Sequence, residues 1–124
     1  VKLDHGALKH AILSLCLKDA YDIWELPAEV GREVVAAHGS RMLHRELVEV
    51  VRELLAELVR EGCGTVGRRQ GVDAPVPVPD TDVPTILGYP ETWVKPAKVT
   101  LMNYSFATSP SGADAVKAKK YLKA

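Results

Sequence analysis

The chain has 124 residues, of which 16 are basic and 16 are acidic, so its formal net charge at pH 7 is zero. This length predicts one domain with a modest core, and the charge balance argues against both a polybasic coat for nucleic acid and an acidic tail. Any charged site must therefore come from local segregation of charge. No apolar run approaches the ~20 residues needed to span a bilayer, and the N-terminal residues lack a signal peptide's apolar core. We therefore expect a cytoplasmic protein without a membrane partner.

The N-terminal segment predicts a first helix followed by a short connector. Asp4 is a suitable N-cap, and apolar residues recur at helical spacing as far as about Lys18. The connector, residues 19–26, contains two aromatic residues. It can be extended and pair with strands that come later in the chain.

A second helix and a tight turn follow the connector. Pro27 suits the first turn of this helix. His38 and Gly39 suit its end, because glycine tolerates the left-handed conformation that closes helices. Ser40 is then the expected N-cap of a third helix. Two helices joined by about three residues that include a glycine are the sequence signature of a helix-turn-helix.

The third helix, predicted from about Arg41 to Glu61, has three separate faces when its residues are placed at about 100° intervals. One broad face is apolar and is expected to face the core. The basic edge consists of Arg41, Arg45 and Arg52, with His44 nearby, and the acidic stripe consists of Glu46, Glu49, Glu53 and Glu57. Two interpretations stay open: a solvated surface supported by glutamate–arginine pairs, and a basic edge that contacts a partner.

The last part of the chain predicts two strands separated by a proline-rich insert. Gly64–Arg69 is the first predicted strand, and Lys98–Thr108, rich in β-branched and aromatic residues, is its partner. The prolines of the insert exclude a central strand or a long helix. Its PVPVP stretch is expected to be an extended arm, followed by one or two helical turns, and Trp93 is expected to anchor the insert. A last helix runs from Ser109 through Lys120.

These elements predict a core shared by the helices and the returning strand. The residues expected to be buried are Leu8, Ile12, Leu15, Val30, Val34, Leu47, Val51, Leu54, Leu58 and Phe106.

Three stretches resemble the winged helix-turn-helix family. RELLAELVREGCGTVGR resembles the end of a recognition helix and the first wing strand, and SFATSPSGADAV is similar to the returning strand and the step into a C-terminal helix. PTILGYPETWVKPAKVTLMNYSFAT resembles small bacterial winged-helix-like proteins that carry a proline-rich wing insert. The resemblance implies a mainly α protein with a small antiparallel β-hairpin, in a single winged-helix domain over residues 1–124. Within it, residues 1–69 form the helical core and first wing strand, 70–97 the insert, and 98–124 the returning strand and C-terminal helix.

Motifs for catalysis or metal binding are missing from the sequence. The histidines show no HExxH spacing, no serine lies in a G-x-S-x-G motif, and no phosphate-binding loop stands between a strand and a helix. Cys16 and Cys63 lack zinc-site spacing, so we expect two reduced, partly buried thiols. The expectation is a binding protein that is not an enzyme and uses no cofactor and no metal.

The arrangement of charge is compatible with two binding functions. In a DNA-binding transcriptional regulator, the N-terminal half of the third helix enters the major groove, and the strands contact the backbone. The resemblance then implies that the DNA contacts are Ser40, Arg41, His44, Arg45, Arg52, Arg68, Arg69, Lys95 and Lys98. Binding to paired half-sites further implies a homodimer through the first and last helices. In the alternative, a protein-binding winged helix such as a bacterial immunity or antitoxin protein, the same residues contact a protein, and the extended arm suits that partner.

Overall fold

The computed structural model describes residues 4–35, 44–68, 75–87 and 104–122. These residues are mainly helical and include a small antiparallel sheet of four strands. The helices are α1 His5–Leu15, α2 Leu26–Val30, α3 His44–Arg60, α4 Val83–Leu87 and α5 Pro110–Lys117. The strands are β1 Tyr21–Asp22, β2 Gly64–Arg68, β3 Val76–Pro77 and β4 Tyr104–Thr108. Single 3-10 turns occupy Ile23–Glu25, Asp80–Asp82 and Lys120–Leu122, and a π-helical turn occupies Gly31–Val35.

Helix α1 begins as predicted and ends earlier than predicted. The Asp4 carboxylate accepts hydrogen bonds from the backbone N–H groups of Gly6 (2.9 Å) and Ala7 (3.3 Å), which confirms it as the N-cap. The helix ends at Leu15, and residues 16–18 form a turn instead of continuing it. Strand β4 satisfies two carbonyls at this end. The Thr108 N–H donates to the Cys16 carbonyl at 3.3 Å, and the Thr108 hydroxyl donates to the Leu13 carbonyl at 2.7 Å.

The middle helices agree with the prediction in part. The second helix is α-helical only over Leu26–Val30 and continues as a π-helical turn over Gly31–Val35. Pro27 lies in the first turn of α2, as its fixed φ favours. Helix α3 is described from His44 to Arg60. The predicted end of the second helix at His38 and Gly39, the N-cap Ser40 and the start at Arg41 lie outside the described residues.

The predicted pairing of two strands is confirmed over Gly64–Arg68 and Tyr104–Thr108, and it forms only the middle of the sheet. Arg69 and residues 98–103 of the predicted strands lie outside the described residues. The strand order is β1-β4-β2-β3. Strand β2 pairs antiparallel with β4, from Gly64 opposite Thr108 to Arg68 opposite Tyr104. The connector strand β1 pairs with the other side of β4. The small hairpin of the prediction is therefore a four-stranded sheet, because β1 and β3 use the two backbone edges that a hairpin leaves open.

The described part of the proline-rich insert, residues 75–87, is extended where predicted, and its strand β3 belongs to the sheet. Strand β3 pairs with the end of β2, with Pro77 opposite Gly67 and Val76 opposite Arg68. The helical turns expected after PVPVP are present as a 3-10 turn and helix α4. Val83 of α4 is 3% exposed, so this helix packs on the core. Trp93 lies outside the described residues.

Most of the predicted core residues are buried between the helices and the inner face of the sheet. Those confirmed as buried are Leu8, Ile12, Val30, Leu47, Val51, Leu54, Leu58 and Phe106. Leu15 is only half-buried, since it lies in the last turn of α1, and Leu13 is fully buried instead. The side chain of Val34 lies outside the described residues. Leu26 and Leu55, on the expected apolar faces of their helices, are also buried, whereas Leu13, Ile23 and Val48 are buried residues that the prediction placed on no apolar face.

Leu54 lies at the centre of this core and is 1% exposed. We expect Leu54→Ala to lower the free energy of unfolding by about 2–5 kcal/mol, because it removes buried apolar contacts and leaves a cavity. Chemical denaturation measures this change. Leu122→Ala, at a leucine that is 47% exposed, is the matched control and should have a small effect. A loss below about 1 kcal/mol for Leu54→Ala would contradict its place in the core.

Removal of two different hydroxyl groups of β4 is expected to change the stability of the fold in opposite directions. The Thr108 hydroxyl binds the Leu13 carbonyl, so Thr108→Val should destabilise the fold by about 1–3 kcal/mol. The Ser105 hydroxyl is buried without a hydrogen-bond partner in the described structure, so Ser105→Ala should stabilise it by on the order of 1 kcal/mol. Urea denaturation of both variants tests the pair. Equal signs would contradict the assigned hydrogen bonding.

Candidate functional site

The exposed face of α3 is acidic from Glu46 to Glu53, and the exposed Arg60 lies in its last turn. Six apolar residues of this helix are buried, namely Leu47, Val48, Val51, Leu54, Leu55 and Leu58. Glu46, Glu49 and Glu53 are exposed on the opposite side. Arg52 is half-buried, on the flank between these two faces. Arg52 therefore borders the core-facing surface, and Glu46, Glu49 and Glu53 point to solvent.

The predicted contact residues are only partly described. Arg52 on α3 and Arg68 at the end of β2 are the two with described side chains, and Arg68 is exposed. His44 and Arg45 lie in the first turn of α3, while their side chains lie outside the described residues. The remaining predicted contacts, Ser40, Arg41, Arg69, Lys95 and Lys98, also lie outside the described residues.

The expected support pairs on the surface of α3 are not formed around Arg52. Within the described residues, Arg52 makes no ion pair with Glu49 or Glu53. The solvated-surface interpretation relied on such pairs at helical spacing. The exposed carboxylates of Glu49 and Glu53 thus keep their charge available to a partner or to solvent.

A polar cluster that the prediction missed ties α1, the end of α3 and the C-terminal turn together. The Lys9 ammonium lies 2.9 Å from a Glu61 carboxylate oxygen and 3.4 Å from a Glu57 carboxylate oxygen. The Tyr121 hydroxyl donates to the other Glu61 oxygen at 3.0 Å and lies 3.4 Å from the Cys63 sulfur. Lys9 also lies 5.1 Å from the centre of the Tyr121 ring, a cation–π distance. These residues are dispersed along the chain, so no local motif indicates their contact.

The cluster stabilises the ionised forms of Lys9 and Glu61 and the neutral form of Tyr121. Partial burial alone would raise the pKa of Glu61, but hydrogen bonds from Lys9 and Tyr121 and the charges of Lys9 and Lys120 outweigh it, so its pKa is lowered. Partial burial alone would lower the pKa of Lys9, but Glu61 and Glu57 outweigh it, so its pKa is raised. The pKa of Tyr121 is raised by burial and by its hydrogen bonds to Cys63 and Glu61. The cluster is therefore an ion pair with a neutral phenol at neutral pH.

Both cysteines are unpaired and buried, more deeply than the partial burial predicted for them. Burial raises the pKa of the Cys16 thiol to about 12, although a backbone hydrogen bond from Tyr21 acts in the opposite direction. A thiol with such a pKa is protonated at neutral pH and is a poor nucleophile. Cys63 lies beneath the Tyr121 hydroxyl and is 3% exposed, so solvent hardly reaches its sulfur.

Two open grooves lie away from the predicted contact residues. One, of about 490 Å³, runs along the end of α1 and β1, with Leu17, Lys18, Asp19 and Glu25 among its lining residues. The other, of about 410 Å³, lies between α5 and the end of α3. The described residues contain no group of three or more histidine, cysteine or acidic side chains placed to hold a metal ion.

Comparison of the chain with protein-family models finds no matching family, and comparison with curated proteins and with solved structures finds no match. None of the described helices has both the length and the apolar character needed to cross a bilayer.

The Lys9–Glu61 ion pair predicts a specific dependence of stability on pH. The pKa of Glu61 is lower in the folded chain than its ordinary value of 4.5. The stabilisation of the folded chain by ionised Glu61 is therefore fully present above pH 4.5 and is lost as the pH falls through the lowered pKa. Glu61→Gln should unfold at a lower temperature than the parent near pH 7, and the two melting temperatures should converge at acidic pH.

The matched control for this experiment is Glu53→Gln, on the exposed face of α3, whereas Glu61 lies just beyond the end of that helix. Glu53 takes no part in the Lys9 cluster, so its substitution should leave the pH profile parallel to that of the parent. A constant difference between Glu61→Gln and the parent from pH 7 down to pH 3 would contradict the ion pair.

Proposed function

We propose that this chain is a winged helix-turn-helix protein that binds double-stranded DNA. The observation that carries the proposal is the order of its elements. The long amphipathic helix α3 is followed directly by β2, β2 pairs with β4, and α5 comes next. In a helix-turn-helix protein, the helix in the position of α3 presents its N-terminal end to the major groove.

The charges of the described residues restrict how DNA can approach this helix. Phosphates carry a dense negative charge, and the exposed Glu46, Glu49 and Glu53 side chains repel them. We therefore propose contacts at the N-terminal end of α3, from Ser40, Arg41, His44 and Arg45. Arg68, exposed at the end of β2, together with Arg69, Lys95 and Lys98, would hold the DNA backbone, and Arg52 would contribute from the flank.

Arginine contacts to phosphate predict a steep dependence of affinity on salt. Each neutralised phosphate contributes about −0.9 to the slope of log affinity against log salt concentration. Arg45→Ala should flatten this slope by about 1 if Arg45 holds a phosphate. If it reads a guanine instead, discrimination at one base pair should fall by about 1–3 kcal/mol. Substituting Arg68 and Arg69 together should weaken binding to all sequences alike, because backbone contacts carry no sequence information.

Fluorescence anisotropy at two salt concentrations, with a DNA fragment from upstream of the chain's own gene, measures these effects. Arg60→Ala is a matched control, since Arg60 is exposed at the opposite end of α3, and it should bind as the parent does. A dissociation constant weaker than about 10⁻⁴ M at low salt would exclude the DNA proposal, because even non-specific binders usually exceed that affinity.

The exposed acidic row supports a second candidate, a winged helix that binds a protein. Glu46, Glu49 and Glu53 are exposed, and they complement a basic protein surface better than they complement a phosphate backbone. An immunity or antitoxin protein, which neutralises its partner by binding it, is one form of this function.

Charge reversal separates the two candidates. Replacing Glu49 and Glu53 by lysine should weaken binding to a basic protein partner, for which the product of an adjacent gene is the first probe. The same change should strengthen binding to DNA, because it replaces two repulsive charges with attractive ones.

A further inference from the structure

The proline-rich segment forms an edge of the described sheet, and its prolines recur at every second position. The sequence PVPVP occupies residues 75–79, and its central residues form β3 against the end of β2. Pro77 lies opposite Gly67 and Val76 lies opposite Arg68. The Val78 N–H donates to the Val66 carbonyl at 2.9 Å, so the pairing continues beyond the two residues of β3.

This register assigns a direction to every backbone group of the segment. In an antiparallel pair, the N–H and C=O of one residue point to the partner strand, and those of the next residue point away. Val78 bonds to β2, so Val76 also faces β2 through its backbone. The backbone positions of Pro75, Pro77 and Pro79 then point away from the sheet, where proline has no N–H to offer.

The outer edge of β3 is consequently an edge without hydrogen-bond donors. A further strand requires alternating donors and acceptors from the edge with which it pairs. This edge presents only carbonyl oxygens, and the Pro79 carbonyl already accepts from the Asp82 N–H at 2.9 Å. Proline is otherwise disfavoured in strands because it removes ladder hydrogen bonds. In PVPVP, the valines alternate with the prolines, so the hydrogen bonds to β2 are kept. Only the N–H groups that an added strand would need are missing.

We propose that the PVPVP segment terminates the sheet and prevents a strand of a second copy of this chain from pairing at this edge. Without it, the backbone edge of Gly64–Arg68 would be open on the side where β3 now lies. Val76 is 63% exposed, and an exposed apolar residue on a pairing-competent edge would promote association of copies. The valines form backbone hydrogen bonds with β2, and the prolines leave the outer edge of β3 without N–H donors. The segment therefore covers the edge of β2 without offering a new edge for pairing.

The variant P75V/P77V tests the proposal, because it restores two outward N–H groups and adds β-branched side chains that favour strands. Size-exclusion chromatography with light scattering should show an average mass that rises with concentration toward twice the parent's mass or beyond. The matched control P84V removes an exposed proline from the neighbouring helix α4 and should keep the parent's mass. A folded P75V/P77V variant, by circular dichroism, with the parent's mass at every concentration would overturn the proposal.

A second measurement tests the backbone direction in a single variant, P77V, and is decisive even if the double variant does not fold. Its new amide at position 77 should exchange with deuterium rapidly in dilute solution, as an outward group does. The Val78 amide, bonded to the Val66 carbonyl, should exchange slowly in the same spectra. An amide at position 77 as protected as that of Val78 would show that the prolines face β2, and the proposal would fail.

Discussion

The contact between Phe106 and Gly64 is the constraint on which the arrangement of helix and sheet depends. The Phe106 ring is fully buried and lies against the backbone of Gly64 so closely that any Cβ at that position would overlap it. Gly64 comes directly after α3 and its closing turn, in which Gly62 has the left-handed φ of 77°. One glycine thus turns the chain out of the helix, and the next lets β2 lie beside the aromatic residue at the centre of the core.

The end of strand β4 connects the Phe106–Gly64 contact to the ends of the helices through hydrogen bonds. At its end, Thr108 binds the last carbonyls of α1. The next residue, Ser109, donates its N–H to the Cys63 carbonyl at 3.0 Å and its hydroxyl to the Gly62 carbonyl at 2.6 Å. The Ser109 hydroxyl also accepts from the Gly112 N–H at 3.1 Å and caps α5. Thr108 and Ser109, two consecutive residues, therefore hold the ends of three helices.

The charges of α3 divide into two groups because of this packing. Glu57, together with Glu61 just beyond the helix, is bound to Lys9, and Tyr121 completes that cluster, so the C-terminal end of the acidic stripe stabilises the fold. Glu46, Glu49 and Glu53 are exposed, so they set the sign of the surface that a partner meets. Under the two proposals above, a surface with this sign complements a basic protein partner and confines DNA contacts to the N-terminal end of the helix.

Local patterns in the sequence determined the Asp4 cap, Pro27 at the start of α2 and the apolar face of α3, because each depends on residues close together or on a long periodic segment. The pairing of β2 with β4 was predicted from the strand composition of the two segments. The strands β1 and β3 have only two residues each, which is too short to show the alternating pattern of a strand. Their pairing with neighbouring strands in the folded chain identifies them. Tertiary structure also decided three other features. They are the Lys9–Glu61–Tyr121 cluster, the partial burial of Arg52, and the presence of Leu13 in the core in place of Leu15. Burial and long-range hydrogen bonds depend on which elements pack against a residue, and that information is spread over the whole chain. For the candidate site, the sequence alone indicated which residues carry the charge, while the packing of α3 decided that the acidic ones face outward.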